Sequence, residues 1–132
     1  MGDVNYLAVL LAAVAFFAVG AIWYTALFGK AWQRETGISE QTMQGANMPM
    51  IFGLCFAAEL VVAWLLGHMI ARLSPPPHVV MMMAVGLGGA VMTPAIAINY
   101  LYQRKSLKLF LIDAGHFIVG TAAMGAVFIA LT

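Results

Sequence analysis

The chain has 132 residues, 64% of them hydrophobic and 8% charged, with a mean hydropathy of +0.96. A water-soluble domain carries about 25% charged and about 45–50% apolar residues, so this composition excludes one. A formal net charge of +1 leaves no electrostatic footprint for nucleic acid, and the length fits one compact unit, residues 1–132, with no room for a second.

From Val4 to Phe28 the sequence is apolar apart from Tyr6, Trp23, Tyr24 and Thr25. A helix needs about 20 residues to cross about 30 Å of hydrocarbon, so residues 4–28 are expected to form a first span. The stretch is a poor signal peptide: Asp3 stands where a basic region belongs, and the apolar run overshoots a cleavable core. Trp23 and Tyr24 near its end, with Trp32 beyond it and Tyr100 further along the chain, suit the aromatic belt of a membrane interface. Residues 29–48 are the longest polar stretch, with Lys30, Arg34, Glu35 and Glu40 and with Gly37 and Gly45 as breakers. Ser39-Glu40-Gln41 reads as the cap and first turn of a short helix.

Pro49, tolerated in a first helical turn, opens a second expected span over 49–72, with Glu59 inside it and His68 near its far end. Ser74-Pro75-Pro76-Pro77 cannot be helical and forces a tight turn. A third span is expected over 78–102, kinked at Thr93-Pro94. The polar turn that follows carries Arg104, Lys105 and Lys108, and a fourth span runs over 109–131 with Asp113 and His116 in its first turns. The fold class is therefore all-α, a bundle of four transmembrane helices.

Orientation follows from the cations. With four spans, the first and third connections share one side, which holds Lys30, Arg34, Arg104, Lys105 and Lys108; Arg72 alone falls on the other. The excess of basic residues in cytoplasmic loops puts both of these loops in the cytoplasm and both termini outside it.

Two groups of residues carry a family signature. Asn5-Tyr6-Leu7-Ala8, Gly20-Ala21-Ile22-Trp23-Tyr24 and Phe28-Gly29-Lys30-Ala31-Trp32 form the first; Asn99-Tyr100-Leu101-Tyr102 and Leu109-Phe110-Leu111-Ile112-Asp113-Ala114-Gly115 form the second. Together they resemble the bacterial membrane proteins grouped as domain-of-unknown-function family 1761, over nearly the whole chain. The resemblance implies a small four-helix integral membrane protein of the bacterial cytoplasmic membrane; it implies no activity, substrate or cofactor. Where that pattern leads one to expect a proline after Trp23-Tyr24, this chain has Thr25-Ala26, which removes the basis for a helix break there.

Intramembrane polar residues are the remaining handle on function. A charge at the bilayer centre costs about 2.5–3.5 kcal/mol on insertion scales, so such residues face the bundle interior and pair. Glu59 lies roughly 15 Å into its span, near the midplane. Asp113 and His116 are neighbours at i and i+3, and Asn99 and Tyr100 end the preceding span close to their level. The plain reading of Asp113 is a clamp, with Asn99, Tyr100 or the Lys105 region donating hydrogen bonds to it. The sharper one is a proton or ion relay through Asp113 and His116. Glu59, as a neutral acid, would donate a hydrogen bond to a neighbouring helix or protomer.

The small residues Gly86, Gly89, Ala90 and Thr93 on span three, and Thr121-Gly125 and Ala122-Ala126 on span four, have the spacing of close helix packing. Ten methionines, three of them consecutive at Met81-Met82-Met83, invite a soft-metal reading with His68, Met69 and His78. Consecutive helical residues point in different directions, so apolar filling is the better account. Cys55, the single cysteine, reads as a small hydrophobe. Enzyme motifs are absent, and no catalytic set, metal site or cofactor is expected. The expected partners are the lipid bilayer and further copies of the chain. Assembly, as a homo-oligomer or accessory subunit, is the first functional expectation. A minimal oligomeric transporter or channel lined by Glu59, Asp113 and His116 is the alternative, and a membrane enzyme the weakest.

Overall fold

The computed structural model describes residues 3–132. Its elements are α1 (Tyr6–Ile22), α2 (Gly29–Thr36), α3 (Glu40–Gln44), α4 (Met48–Leu73), α5 (Pro77–Gly86), α6 (Thr93–Gln103) and α7 (Leu107–Leu131). π-helical turns at Trp23–Leu27 and Leu87–Met92 prolong α1 and join α5 to α6. Four continuous apolar helices result: Tyr6–Leu27, Met48–Leu73, Pro77–Gln103 and Leu107–Leu131, here spans 1 to 4. At 1.5 Å per residue each measures about 33–40 Å, enough to cross a bilayer. The fold is the all-α, four-span membrane architecture that hydrophobic length dictates.

Polar side chains end the helices where water or headgroups take over from lipid. Asn5, Ser39, Asn47 and Ser106 each accept a hydrogen bond from the backbone N–H three residues on, satisfying one of the orphan donors of a first turn. Gly37, Ser74 and Arg104 close α2, α4 and α6 in the left-handed region, with φ of 75°, 46° and 56°. At Ser74 the reversal leads straight into Pro75-Pro76-Pro77, and the third proline begins the next helix.

The two π-turns have local causes. Pro94 lacks an N–H and its ring crowds the preceding turn; the widened Leu87–Met92 turn absorbs this, and the Thr93 hydroxyl donates to the Gly88 carbonyl at 2.6 Å. The kink expected at Thr93-Pro94 is thus spread over the turn before it. In span 1 the Thr25 hydroxyl donates to the Ala21 carbonyl at 2.5 Å, and Phe28 then leaves helical geometry at φ −123°, ψ 10°. The helix therefore runs on through Trp23-Tyr24 as a π-turn and breaks at Phe28, not at the position where the family pattern suggested a proline.

The spans lie in the order 2–1–4–3. Span 4 packs against spans 1 and 3, and span 1 against spans 2 and 4, whereas spans 2 and 3, joined by the proline turn, make little contact with each other. All neighbouring spans run antiparallel. The buried core is built from Ala8, Ala12, Ala13 and Phe16 of span 1, Ala63 and Leu66 of span 2, Val80 and Ala84 of span 3, and Met124 and Phe128 of span 4. Glycines set the closest approaches: a Cβ on Gly120 would stand 2.5 Å from the Phe16 ring, and one on Gly67 would stand 2.7 Å from Val9. In lipid, where apolar side chains gain nothing by leaving solvent, close packing of this kind is what holds helices together. The Asn5 amide donates to the Leu131 carbonyl at 3.0 Å and ties spans 1 and 4 at one end. At the other end the Ser106 hydroxyl donates to Glu35 Oε1 at 2.5 Å, joining the two basic loops.

Candidate functional site: an aspartate shared by three spans

Asp113 lies about 9 Å along span 4 from Leu107 and is 6% exposed. Its two carboxyl oxygens are taken up from two directions. The Tyr24 hydroxyl, from span 1, donates to Oδ1 at 2.5 Å, and the Tyr100 hydroxyl, from span 3, donates to Oδ2. At the residue just before Asp113, the Trp23 indole N–H donates to the Ile112 carbonyl at 2.8 Å. Trp23 and Tyr24, adjacent in sequence, thus both bond to span 4.

The glycines explain how large rings fit so close. A Cβ on Gly115 would come within 2.8 Å of the Trp23 ring, and one on Gly20 within 2.9 Å of His116 Nε2. The His116 ring sits between Tyr24, Phe16 and Phe117, at centroid distances of 4.9, 5.5 and 4.7 Å. Its Nδ1 is buried and has no hydrogen-bond partner. Trp32 of α2 stands edge-on to Tyr24 at 6.1 Å, so α2 packs back onto the end of the bundle.

The structure brings together Asp113, His116, Tyr24, Tyr100 and Trp23. Asn99 is exposed on span 3 and takes no part; of the donors expected from the sequence, Tyr100 reaches Asp113. Tyr24 and Tyr100, expected as interface aromatics, have their hydroxyls turned to Asp113. Glu59 stands apart on the stripe of span 2 that also holds Ala63, Leu66 and Gly67, and its Oε2 is buried without a partner. Span 1 relates the two sites in depth, since Val9 is level with Gly67 and Gly20 with His116. By helix rise Glu59 and His116 then differ by only about 5 Å along the membrane normal. His68 stacks edge-on against Trp64 at 4.6 Å, and its Nε2 is likewise buried without a partner. Lys30 and Arg34 on α2, Arg104 and Lys105 in the turn before α7, and Lys108 in the first turn of α7 are all exposed, at the end where Ser106 meets Glu35. Among the described residues, no three His, Cys, Asp or Glu side chains group as metal ligands.

Three features missed by sequence reasoning are the Tyr24 bond to Asp113, the Trp23 bond to span 4 and the Glu35–Ser106 bond. For the first two the signal was present: Trp-Tyr and Asp each sit about one to two turns from a basic loop on the same side, hence at one depth.

Fold and site together define the class: a four-span α-helical membrane protein whose first, third and fourth spans are joined through one buried carboxyl group. Residues 7–129 match the family described as protein of unknown function (DUF1761), and the chain belongs to that family. No curated protein and no solved structure matches it.

Proposed function

We propose that this is a multi-pass protein of the bacterial cytoplasmic membrane, with both termini outside the cytoplasm, that acts by assembly as a homo-oligomer or accessory subunit. The observation that carries this reading is the open row of spans. Spans 2 and 3 do not pack along their length, so one copy encloses little, and the partnerless Glu59 Oε2 lies on span 2, at one edge of the row. Asp113 supports the same reading from the other side. Both its oxygens already accept hydrogen bonds from neighbouring spans, as a packing contact requires and a passing ion would have to undo. Gly86 of span 3 has nothing within 4 Å of an added Cβ, which leaves its backbone open to the close approach of another helix.

A second reading, an oligomeric proton or ion path, is favoured by one specific observation: His116 Nδ1 and Glu59 Oε2 are both partnerless and nearly level in the membrane. Glu59→Gln and Asp113→Asn variants, assayed for protomer number by native mass spectrometry and for flux in proteoliposomes, separate the two. Assembly predicts that Glu59→Gln weakens the oligomer. Flux in the parent protein that is lost while the oligomer stays intact would overturn it in favour of transport.

A further inference from the structure

We propose that the groove between α2 and the turn after it binds the phosphate of an anionic phospholipid headgroup. The groove has a volume of about 680 Å³ and is lined by Lys30, Gln33, Arg34, Gly37, Ile38 and Ser39. Lys30, Gln33 and Arg34 fall at i, i+3 and i+4, so they share one face of α2. Gly37, at φ 75°, ends the helix and turns the chain back, making Ile38 and Ser39 the facing wall. Only glycine reaches that conformation at no steric cost.

No acidic residue lines the groove. The acid of α2, Glu35, is engaged by the Ser106 hydroxyl, and Glu40 lines the adjoining cleft, which shares Lys30 and Gln33 with this groove. With both acids outside the groove, the positive charge of Lys30 and Arg34 within it is open to an outside anion. The helix that carries them is held in place, because Trp32 against Tyr24 and Glu35 against Ser106 fix α2 on two sides.

Position selects the source of the anion. The helix starts at Gly29, two residues after span 1 ends at Leu27, so Lys30 and Arg34 lie at headgroup depth. Below them Ile22 and Leu27 are more than half exposed and offer an apolar surface for acyl chains. Arginine grips a phosphate with two parallel N–H donors and lysine adds a point charge. A headgroup with its own ammonium, such as choline, would carry that charge towards Lys30 and Arg34, so phosphatidylglycerol is preferred. This inference rests only on span 1 crossing the membrane, and it stands whether or not the protein assembles.

The test is native mass spectrometry of the purified protein in detergent with phosphatidylglycerol, phosphatidylcholine or inorganic phosphate added. The protein should retain phosphatidylglycerol well above phosphatidylcholine. Each cation near the surface contributes about fivefold, so Lys30→Gln/Arg34→Gln should lower retention about 25-fold. Lys30→Arg/Arg34→Lys, which keeps both charges, should retain the lipid. So should Lys105→Gln/Lys108→Gln, which removes two cations outside the groove. Equal retention of the two lipids would overturn the proposal, as would equal loss in both glutamine pairs. Inorganic phosphate binding as tightly as phosphatidylglycerol would overturn the lipid as its source. Protomer number, read from the same spectra, reports on assembly separately.

Discussion

Removing the two tyrosine hydroxyls one at a time and then together tests the shared aspartate most sharply. Tyr24→Phe deletes the donor to Asp113 Oδ1 and Tyr100→Phe the donor to Oδ2, and neither alters ring volume. Hydrogen bonds between membrane helices average about 0.6 kcal/mol and reach about 1.7. A buried polar group left with no partner costs about 1–3 kcal/mol. Each single variant leaves the carboxyl group one donor, so each should cost about 0.6–1.7 kcal/mol. The double variant leaves none at a site only 6% exposed, and should exceed the sum of the singles by about 1 kcal/mol or more. Asp113→Leu added to the double variant should recover much of that loss, because it removes the orphaned group together with its partners. Unfolding in mixed micelles by titrated SDS, followed through tryptophan fluorescence, measures all four. Singles that cost nothing, or a triple variant no better than the double, would refute the argument.

Other outcomes follow from the same geometry. Gly120→Val should destabilise by about 2–3 kcal/mol or prevent insertion, because a Cβ there meets the buried Phe16 ring at 2.5 Å; Gly53→Ala, with nothing within 4 Å, should be neutral or gain up to about 1 kcal/mol in the same titration. Ser106→Ala should cost about 1 kcal/mol more than Glu35→Gln, since the serine both bonds Glu35 and caps α7 through the Leu109 N–H, whereas the exposed Glu35 contact contributes little alone. Trp23→Phe removes the bond to the Ile112 carbonyl at 2.8 Å and should lower stability by about 1 kcal/mol; an unchanged unfolding midpoint would contradict that contact.

Hydrophobic length made the fold legible. Runs long enough to cross lipid, separated by a basic turn, a triple proline and a polar stretch, leave few alternatives to four helices. The order 2–1–4–3 was not legible, because it depends on which small residues face each other. Gly120 under Phe16 and Gly67 under Phe128 are pairings across the fold, and no local pattern announces them. Asp113 and His116 stood out as rare polar residues in an apolar run, and Tyr100 could be matched to Asp113 across a short turn. Tyr24 is 89 positions from Asp113. Its aromatic amphipathic character fits an interface belt equally well, so the sequence favoured the commoner role. Glu59 was visible as an anomaly in span 2, and its buried, partnerless oxygen keeps it one.

The claim beneath all the others is that four helices cross a bilayer with the basic loops at one face and the proline turn at the other. Single cysteines placed by Gln103→Cys and His78→Cys, each in a Cys55→Ala background, report on the two faces when intact cells meet a membrane-impermeant maleimide. The account predicts labelling at position 78 in intact cells, and at position 103 only after permeabilisation. Labelling of both positions from the same side would contradict it.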